Sequence, residues 1–452
     1  MKDMTKGNEA KLIFNFALPM LIGNIFQQLY NTVDSIIVGR YVGKEALAAV
    51  GTSFPIIFLL VSLIMGITIG STILISQYYG ARDMKSVRKT IDTTYIFLLF
   101  ASITITIVGL LSSSALLKLL KTPDEVFVHA KNYLNITFIG MIGMFGYNSV
   151  SSILRGLGDS KTPLRFLIIS TIINIVLDII FVVPLKMGVE GAAWATIIAQ
   201  FCSFVFGVYH LNKNHEVFKI KFKNIKFDKD IFKLTVKIGI PSGIQQVLFS
   251  FGMMAMQGLV NGFGANTMAG FNAATKVDSF ASMPIMNFGA AISTFVGQNI
   301  GANKPERIKR GYNSTLIMTV GLSVATSIII NVFGVQLVSL FNTEPEVIKE
   351  GTAYIARVSS FYVLLAIMFI SNGVMRGAGD TIFPMISSLL SMLIIRVPIA
   401  YFLAWKLKSS NGIWWSIPAG WLVGVIVTQI YYHTGRWKKK AVVKAKTTSM
   451  EG

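Results

Sequence analysis

Twelve stretches of this chain are apolar enough and long enough to cross a lipid bilayer, and they limit the fold more than any other feature. They run roughly over 12–38, 45–79, 93–120, 132–154, 164–186, 189–210, 235–261, 267–300, 312–341, 352–375, 382–405 and 412–433. About 20 predominantly apolar residues in a helix span the hydrocarbon core. The stretches at 45–79 and 267–300 are long enough to tilt or to extend beyond it. The expected fold class is an all-α membrane protein with twelve transmembrane helices. Composition points the same way. Of 452 residues, 53% are hydrophobic and only 14% charged, against about 25% charged in a typical soluble domain. The single cysteine, Cys202, excludes an internal disulfide framework and any multi-cysteine metal site.

The chain carries 41 Lys and Arg against 21 Asp and Glu, a formal net charge of +20. Apolar stretches separate the basic clusters, so no continuous basic face forms and nucleic acid is not an expected partner. With the N-terminus in the cytoplasm, 29 basic residues fall on inner segments and 10 on outer loops, while Lys276 and Arg396 lie within apolar stretches. The positive-inside rule then puts both termini in the cytoplasm and makes most of the net charge a topological signal. The expected location is a cell membrane, probed by many crossings, with a bacterial inner membrane as the setting and the lipid bilayer as partner.

A shift of 221 residues superimposes the chain on itself. Gln77, Gly80 and Ala81 fall on Gln298, Gly301 and Ala302, and Arg88–Lys89 on Lys309–Arg310. Val126 and Tyr133 fall on Val347 and Tyr354, and Gly191 and Trp194 on Gly412 and Trp415. Arg155, Gly156, Gly158, Asp159 and Pro163 fall on Arg376, Gly377, Gly379, Asp380 and Pro384. Each repeat therefore holds six crossings. Six is even, so both repeats enter from the same side, and a pseudo-twofold axis along the membrane normal is expected. The expected domains are a lobe at 1–210, a lysine-rich cytoplasmic linker at 211–233, and a lobe at 234–452 with a basic tail. Two such bundles with a cleft between them make a transporter architecture.

A six-plus-six repeat also fits the major facilitator superfamily, whose loop after the second helix carries a Gly/Asp/Arg-Gly-Arg-type motif. This chain instead has Gln77-Tyr-Tyr-Gly-Ala-Arg-Asp there, doubled as Gln298-Asn-Ile-Gly-Ala-Asn-Lys. After the fourth stretch it has Arg155-Gly-Leu-Gly-Asp, doubled as Arg376-Gly-Ala-Gly-Asp. With Pro19 early in the first stretch, the chain resembles the multidrug and toxic compound extrusion (MATE) family from about Ala17 to Tyr432. The resemblance implies a cation-coupled antiporter, not an enzyme. It would export hydrophobic, often cationic compounds in exchange for H+ or Na+, need no cofactor, and work as a monomer. By position, the family's cation site maps onto Asp34, Asn174, Asp178 and Thr196, with Asn148 nearby; Na+ is a possible occupant of the first four. Gln245 and Gln246 start the seventh stretch, and the tenth has no acid, as in the DNA-damage-inducible-F-like branch.

The residues point the same way without the family. Of the 21 acids, only Asp34, Asp178 and Asp278 lie deep in apolar stretches, where an ionised carboxylate costs about 2.5–3.5 kcal/mol on insertion scales. Asp34 shares a helix face with Gln27 and Asn31, and Asp178 with Asn174 and Thr171. Interhelical hydrogen bonding is the structural alternative for both sets. At the 221-residue offset Asp34, Asn174 and Asp178 meet Ala255, Ile395 and Ile399, so this chemistry belongs to the first repeat alone. Conversely Lys276, Asp278 and Arg396 fall on Pro55, Ile57 and Ile175. Lys276 and Asp278, two apart, face nearly opposite ways and each needs another partner. Gln27, Asn31, Lys276, Asp278 and the methionines Met253, Met254, Met256, Met283 and Met286 are candidate substrate contacts, methionine being suited to adaptable apolar surfaces.

The doubled loop motifs read as structural: Arg bonding carbonyls at one helix end, Gly turning the chain, Asp capping the next helix. Gly66-Ile-Thr-Ile-Gly70 reads as a close helix contact. Gly39-Arg-Tyr-Val-Gly43-Lys44-Glu45 falls one residue short of a P-loop and ends in Glu, so ATP drive is not expected. Two rival readings stay open at this level: a lipid-linked oligosaccharide flippase of the same superfamily, and a channel or signalling protein without coupled transport.

Overall fold

The structure, a computed structural model, describes residues 2–214 and 225–443. Among them every regular element is helical. The order is α1 (Glu9–Tyr41), α2 (Lys44–Gly80), α3 (Met84–Leu119), α4 (Asp124–Ile139), α5 (Met141–Gly156), α6 (Lys161–Val182), α7 (Gly188–Asn214) and α8 (Lys229–Asn261). There follow α9 (Ala265–Gly301), α10 (Pro305–Ser339), α11 (Pro345–Ser359), α12 (Tyr362–Gly377), α13 (Ile382–Leu389), a π-helical turn (Leu390–Ile395), α14 (Arg396–Leu407) and α15 (Asn411–Thr434).

Nine helices among the described residues are long and apolar enough to cross a membrane, with Ile382–Leu407 counted as one. The pairs α4–α5 and α11–α12 each add a crossing, bent by 49° and 52°. The seventh stretch falls in α8, 33 residues long, so each of the twelve apolar stretches lies mainly in helix. The fourth and tenth stretches are thus broken rather than continuous. The break frees carbonyls, and in the hydrocarbon core only protein can serve them. Thr106 Oγ1 donates to the Phe138 carbonyl at 2.6 Å. The Ser327 hydroxyl donates to the Ser359 carbonyl. Both pairs are 221 residues apart, so the same neighbouring helix stabilises the same bend in each repeat.

The chain forms two compact units. The first holds Pro19–Tyr79 and Asp83–Ile240; the second holds Asp3–Leu18, Gly80–Arg82 and the described residues from Pro241 on. Within the first, α3 packs on α4 and α5, and α7 on α4, α5 and α6. Within the second, α10 packs on α11 and α12, and α15 on α11, α12 and α14. The packing scheme is the same. Of the expected linker, 211–214 end α7 and 229–233 begin α8; 215–224 lie outside the described residues, as do the tail residues from 444. Asp228 starts α8 by accepting from the Asp230 and Ile231 amides at 3.1 Å, and Lys89 pairs with it at 2.8 Å.

The doubled loops are built as their residues suggest. Arg155 Nε donates to the Ser151 carbonyl at 3.2 Å. Gly158 and Gly379 turn the chain with φ of 82° and 92°, a region that favours glycine. Asp159 accepts from the Lys161 and Thr162 amides at 3.0 Å, and Asp380 from the Phe383 amide at 3.4 Å. Gly66 and Gly70 of α2 pack against α8: a Cβ on Gly70 would sit 2.6 Å from the Thr235 carbonyl oxygen, and one on Gly239 2.7 Å from that of Gly66. The outer faces stay apolar for lipid, as at Leu111 (81% exposed) and Ile317 (73% exposed).

Gly377 has no room for a side chain: a Cβ would collide with the Ser293 carbonyl and lie 2.9 Å from Val296 Cβ. Gly321, on α10, has nothing within 4 Å. Gly377→Ala is expected to cost about 1–3 kcal/mol through overpacking, and Gly321→Ala to leave stability unchanged or higher. Thermal melting of the detergent-solubilised variants distinguishes the two; equal melting would mean the tight helix contact does not matter.

Candidate functional site

Three helices of the first unit bring four of the expected residues together. Asp34 is on α1, Asn174 and Asp178 lie one turn apart on α6, and Thr196 is on α7. Hydroxyls fix how α6 meets α7: Ser170 Oγ donates to the Ala199 carbonyl at 2.9 Å and Ser203 Oγ to the Phe166 carbonyl at 3.0 Å. That register places the Asn174 amide 3.5 Å from Thr196 Oγ1. Asp178 is 0% and Asn174 1% exposed; Asp34 is half-buried.

The carboxyl groups of Asp34 and Asp178 lie within interaction range of each other, and two ionised carboxylates so placed repel unless a positive charge joins them. Asp34 Oδ1, both Asp178 oxygens, Asn174 Oδ1 and Thr171 Oγ1 have no partner at full hydrogen-bond geometry among the described residues. A buried acceptor left this way costs about 1–3 kcal/mol. The site is therefore a convergence of hard oxygen acceptors that a positive charge would satisfy. A proton or an alkali cation fits such a donor set.

Two tyrosines frame the pair and escape a search for acids and amides. Tyr30 lies beside Thr196, and Tyr30 and Tyr133 both lie within electrostatic range of Asp34 and Asp178. Tyr30 precedes Asp34 by four residues, so their helical spacing was a readable signal. Gln27 and Asn31, which share a face with Asp34 by spacing, are exposed. Asn148 donates to the Met144 carbonyl of its own helix at 2.8 Å, and no interaction with the acid pair is seen among the described residues.

In the second unit Asp278 accepts from Tyr362 at 2.5 Å and from Tyr354 at 3.4 Å. Lys276 is exposed and lies over the Phe341 ring, 5.3 Å from its centre. The two side chains diverge, as their spacing requires. The methionines do not share one environment. Met256 is wholly buried in the core with Phe271 and Trp414, where packing accounts for it. Met254 and Met286 are exposed, and Met253 and Met283 are half-buried.

The MatE family model matches residues 19–180 and again 241–402, once in each repeat. The chain belongs to the MATE family. A probable multidrug resistance protein, YpnP of Bacillus subtilis, is 34% identical over 96% of this chain and 97% of its own length. A probable multidrug resistance protein, NorM of Thermotoga maritima, is 27% identical over 96% of this chain and 94% of its own. An outward-facing structure of a multidrug resistance MATE family transporter matches with a TM-score of 0.90 and 26% identity, covering 97% of this chain and 99% of that one. This MATE protein is accordingly a multi-pass membrane transporter and not an enzyme.

The acid pair makes a stability prediction of its own. In Asp34→Asn the amide can donate to Asp178 where two carboxylates would repel, so the MATE protein should melt at or above wild type. Asp34→Leu offers no donor and leaves the buried Asp178 oxygens unsatisfied, so it should be about 1–3 kcal/mol less stable than Asp34→Asn. Equal melting of the two variants would show that the two side chains do not depend on each other.

Proposed function

We propose that this MATE protein is a secondary active multidrug efflux antiporter, exchanging cytoplasmic hydrophobic or cationic compounds for H+ or Na+ by alternating access. The two six-helix repeats are its lobes, it works as a monomer in the cell membrane, and both termini lie in the cytoplasm. One observation carries the reading: a carboxyl pair ringed by unpartnered acceptors, set within membrane-crossing helices and replaced by Ala255, Ile395 and Ile399 in the other repeat. Scaffold residues recur in both repeats; a coupling site need occur only once. The relatives are probable multidrug resistance proteins, which supports the substrate class.

In this reading Asp34 and Asp178 take up the cation from outside, and Asn174 and Thr196 hold it or hold the carboxyls in place. Uptake changes how α1 packs on α6 and α7. Pro19 lacks a backbone donor, which lets α1 bend there. The compound leaves outward, the lobes alternate, and the cation is released inside. The driving force suffices. A potential of about 100 mV supplies about 2.3 kcal/mol per charge, and each tenfold gradient requires about 1.4 kcal/mol. One cation thus sustains a gradient of tens-fold.

Ethidium efflux from cells expressing wild type or Asp34→Asn tests this directly. Wild type should export, and the folded variant should export at least about tenfold more slowly, a loss of about 1.4 kcal/mol or more of coupling. Removing sodium or collapsing the pH gradient names the ion. Export by Asp34→Asn at the wild-type rate sinks the first-repeat mechanism.

A further inference from the structure

We infer that the second repeat carries its own ligand site, built on Asp278, Tyr354, Tyr362 and Arg396, which takes the charged ends of amphoteric compounds: a carboxylate against Arg396 and a cationic amine against Asp278. The inference rests on the transporter reading above only for the direction in which the compound moves.

The repeat singles these residues out. Tyr133 and Tyr354 occupy matching positions, and each stands beside an acid of its own unit. Around that shared tyrosine the second repeat has Asp278, Tyr362 and Arg396 where the first has Ile57, Met141 and Ile175. Three apolar positions on three helices have become polar. Burying polar groups is unfavourable unless they are satisfied, so packing alone gives no reason for the exchange.

Arg396 is 7% exposed, and its Nε has no partner. Among the described residues it makes no hydrogen bond or ion pair, although Asp278 and Tyr354 lie within electrostatic range. A guanidinium has five donors and no acceptor. Asp278 is differently placed. Each of its oxygens accepts one tyrosine hydroxyl, which fixes the carboxylate and leaves each oxygen a further acceptor site. Opposite charges, on the buried Arg396 and the half-buried Asp278, are therefore held near one another without meeting. A dipolar group fits between them and satisfies both, whereas a purely cationic compound leaves Arg396 unmatched.

The surrounding structure holds this arrangement. The π-helical turn Leu390–Ile395 directly precedes Arg396. Its counterpart in the first repeat, 169–174, is regular α-helix within α6. A π-turn re-aims the residues that follow, and such turns are frequent at functional sites. Ser391 Oγ anchors the turn by donating to the Gly420 carbonyl at 2.7 Å. Phe271 stacks on Trp414 with centres 5.5 Å apart, Tyr354 stands edge-on to both at 5.5 and 5.1 Å, and Tyr362 packs on Trp421. These rings hold the two tyrosines on Asp278.

Rhodamine 110 and its methyl ester, rhodamine 123, differ in whether the carboxyl is free, so they separate the two ends. Fluorescence anisotropy with purified wild type, Arg396→Gln, Arg396→Lys and Asp278→Asn reads binding without any ion gradient. Wild type should bind rhodamine 110. Arg396→Gln should weaken it by about tenfold or more while rhodamine 123 stays within about twofold, because only the free carboxylate meets the guanidinium. Asp278→Asn should weaken both dyes. Arg396→Lys keeps the charge but not the planar fork; it should weaken rhodamine 110 alone, which preserves the comparison if the glutamine variant does not fold. No binding of rhodamine 110 by wild type, or equal losses for both dyes in a folded Arg396 variant, would overturn the inference and leave Arg396 a packing residue. Loss of ethidium export in Asp34→Asn with dye binding intact separates the two repeats; failure of the export reading leaves this binding test standing.

Discussion

The hydrocarbon core of a bilayer offers no hydrogen bonds, and the whole structure answers that constraint. Every described regular element is helical because a helix satisfies its own backbone. Where a helix must break, a neighbour supplies what is lost. The bends after Phe138 and Ser359 expose carbonyls, and Thr106 and Ser327 reach across to them. Serine does the same work between α6 and α7 and between the π-turn and α15, through Ser170 and Ser391. These bonds recur at a 221-residue shift although the residue types are only partly the same. What the repeat preserves is the place where a carbonyl needs a donor.

Against that common frame the differences acquire meaning. A polar group in the core that serves no backbone atom and has no twin in the other repeat is not explained by folding. Asp34, Asn174 and Asp178 meet that description in the first unit; Asp278, Tyr362 and Arg396 meet it in the second. The two groups are also of opposite character. The first is a set of acceptors around a carboxyl pair and calls for a positive charge. The second holds a fixed carboxylate and a guanidinium whose Nε has no partner among the described residues. Tyr133 and Tyr354 stand beside one group each, so a single inherited position serves both chemistries.

Much of this was legible in the residues. The apolar stretches set the number and order of the crossings, although helices such as α3, from Met84, begin well before them, and Gly158, Asp159, Gly379 and Asp380 announced their turns. Asp34 and Asp178 stood out because acids in apolar runs are costly. Other features were hidden. The bends in the fourth and tenth crossings leave no proline or charge in the sequence at the break. Gln27 and Asn31 share a helical face with Asp34 by spacing, yet α1 presents Tyr30 to the site and leaves both amides exposed. Met256 and Met254 are two residues apart, one in the core and one exposed.

The sequence by itself determined that this chain lives in a membrane, that it is a duplicated six-crossing unit, and which acids are too expensive to be accidental. Those properties are carried by hydrophobicity, spacing and identity, which are local to the chain. Only the tertiary structure decided that Asp34 faces Asp178, that Asn174 faces Thr196, and that Asp278 takes two tyrosines while Arg396 Nε finds no partner among the described residues. Each of those facts depends on how one helix is rotated against another. That rotation is set by many small contacts at once, such as Gly239 on Gly66 or Ser170 on Ala199, and no single residue in the sequence records it.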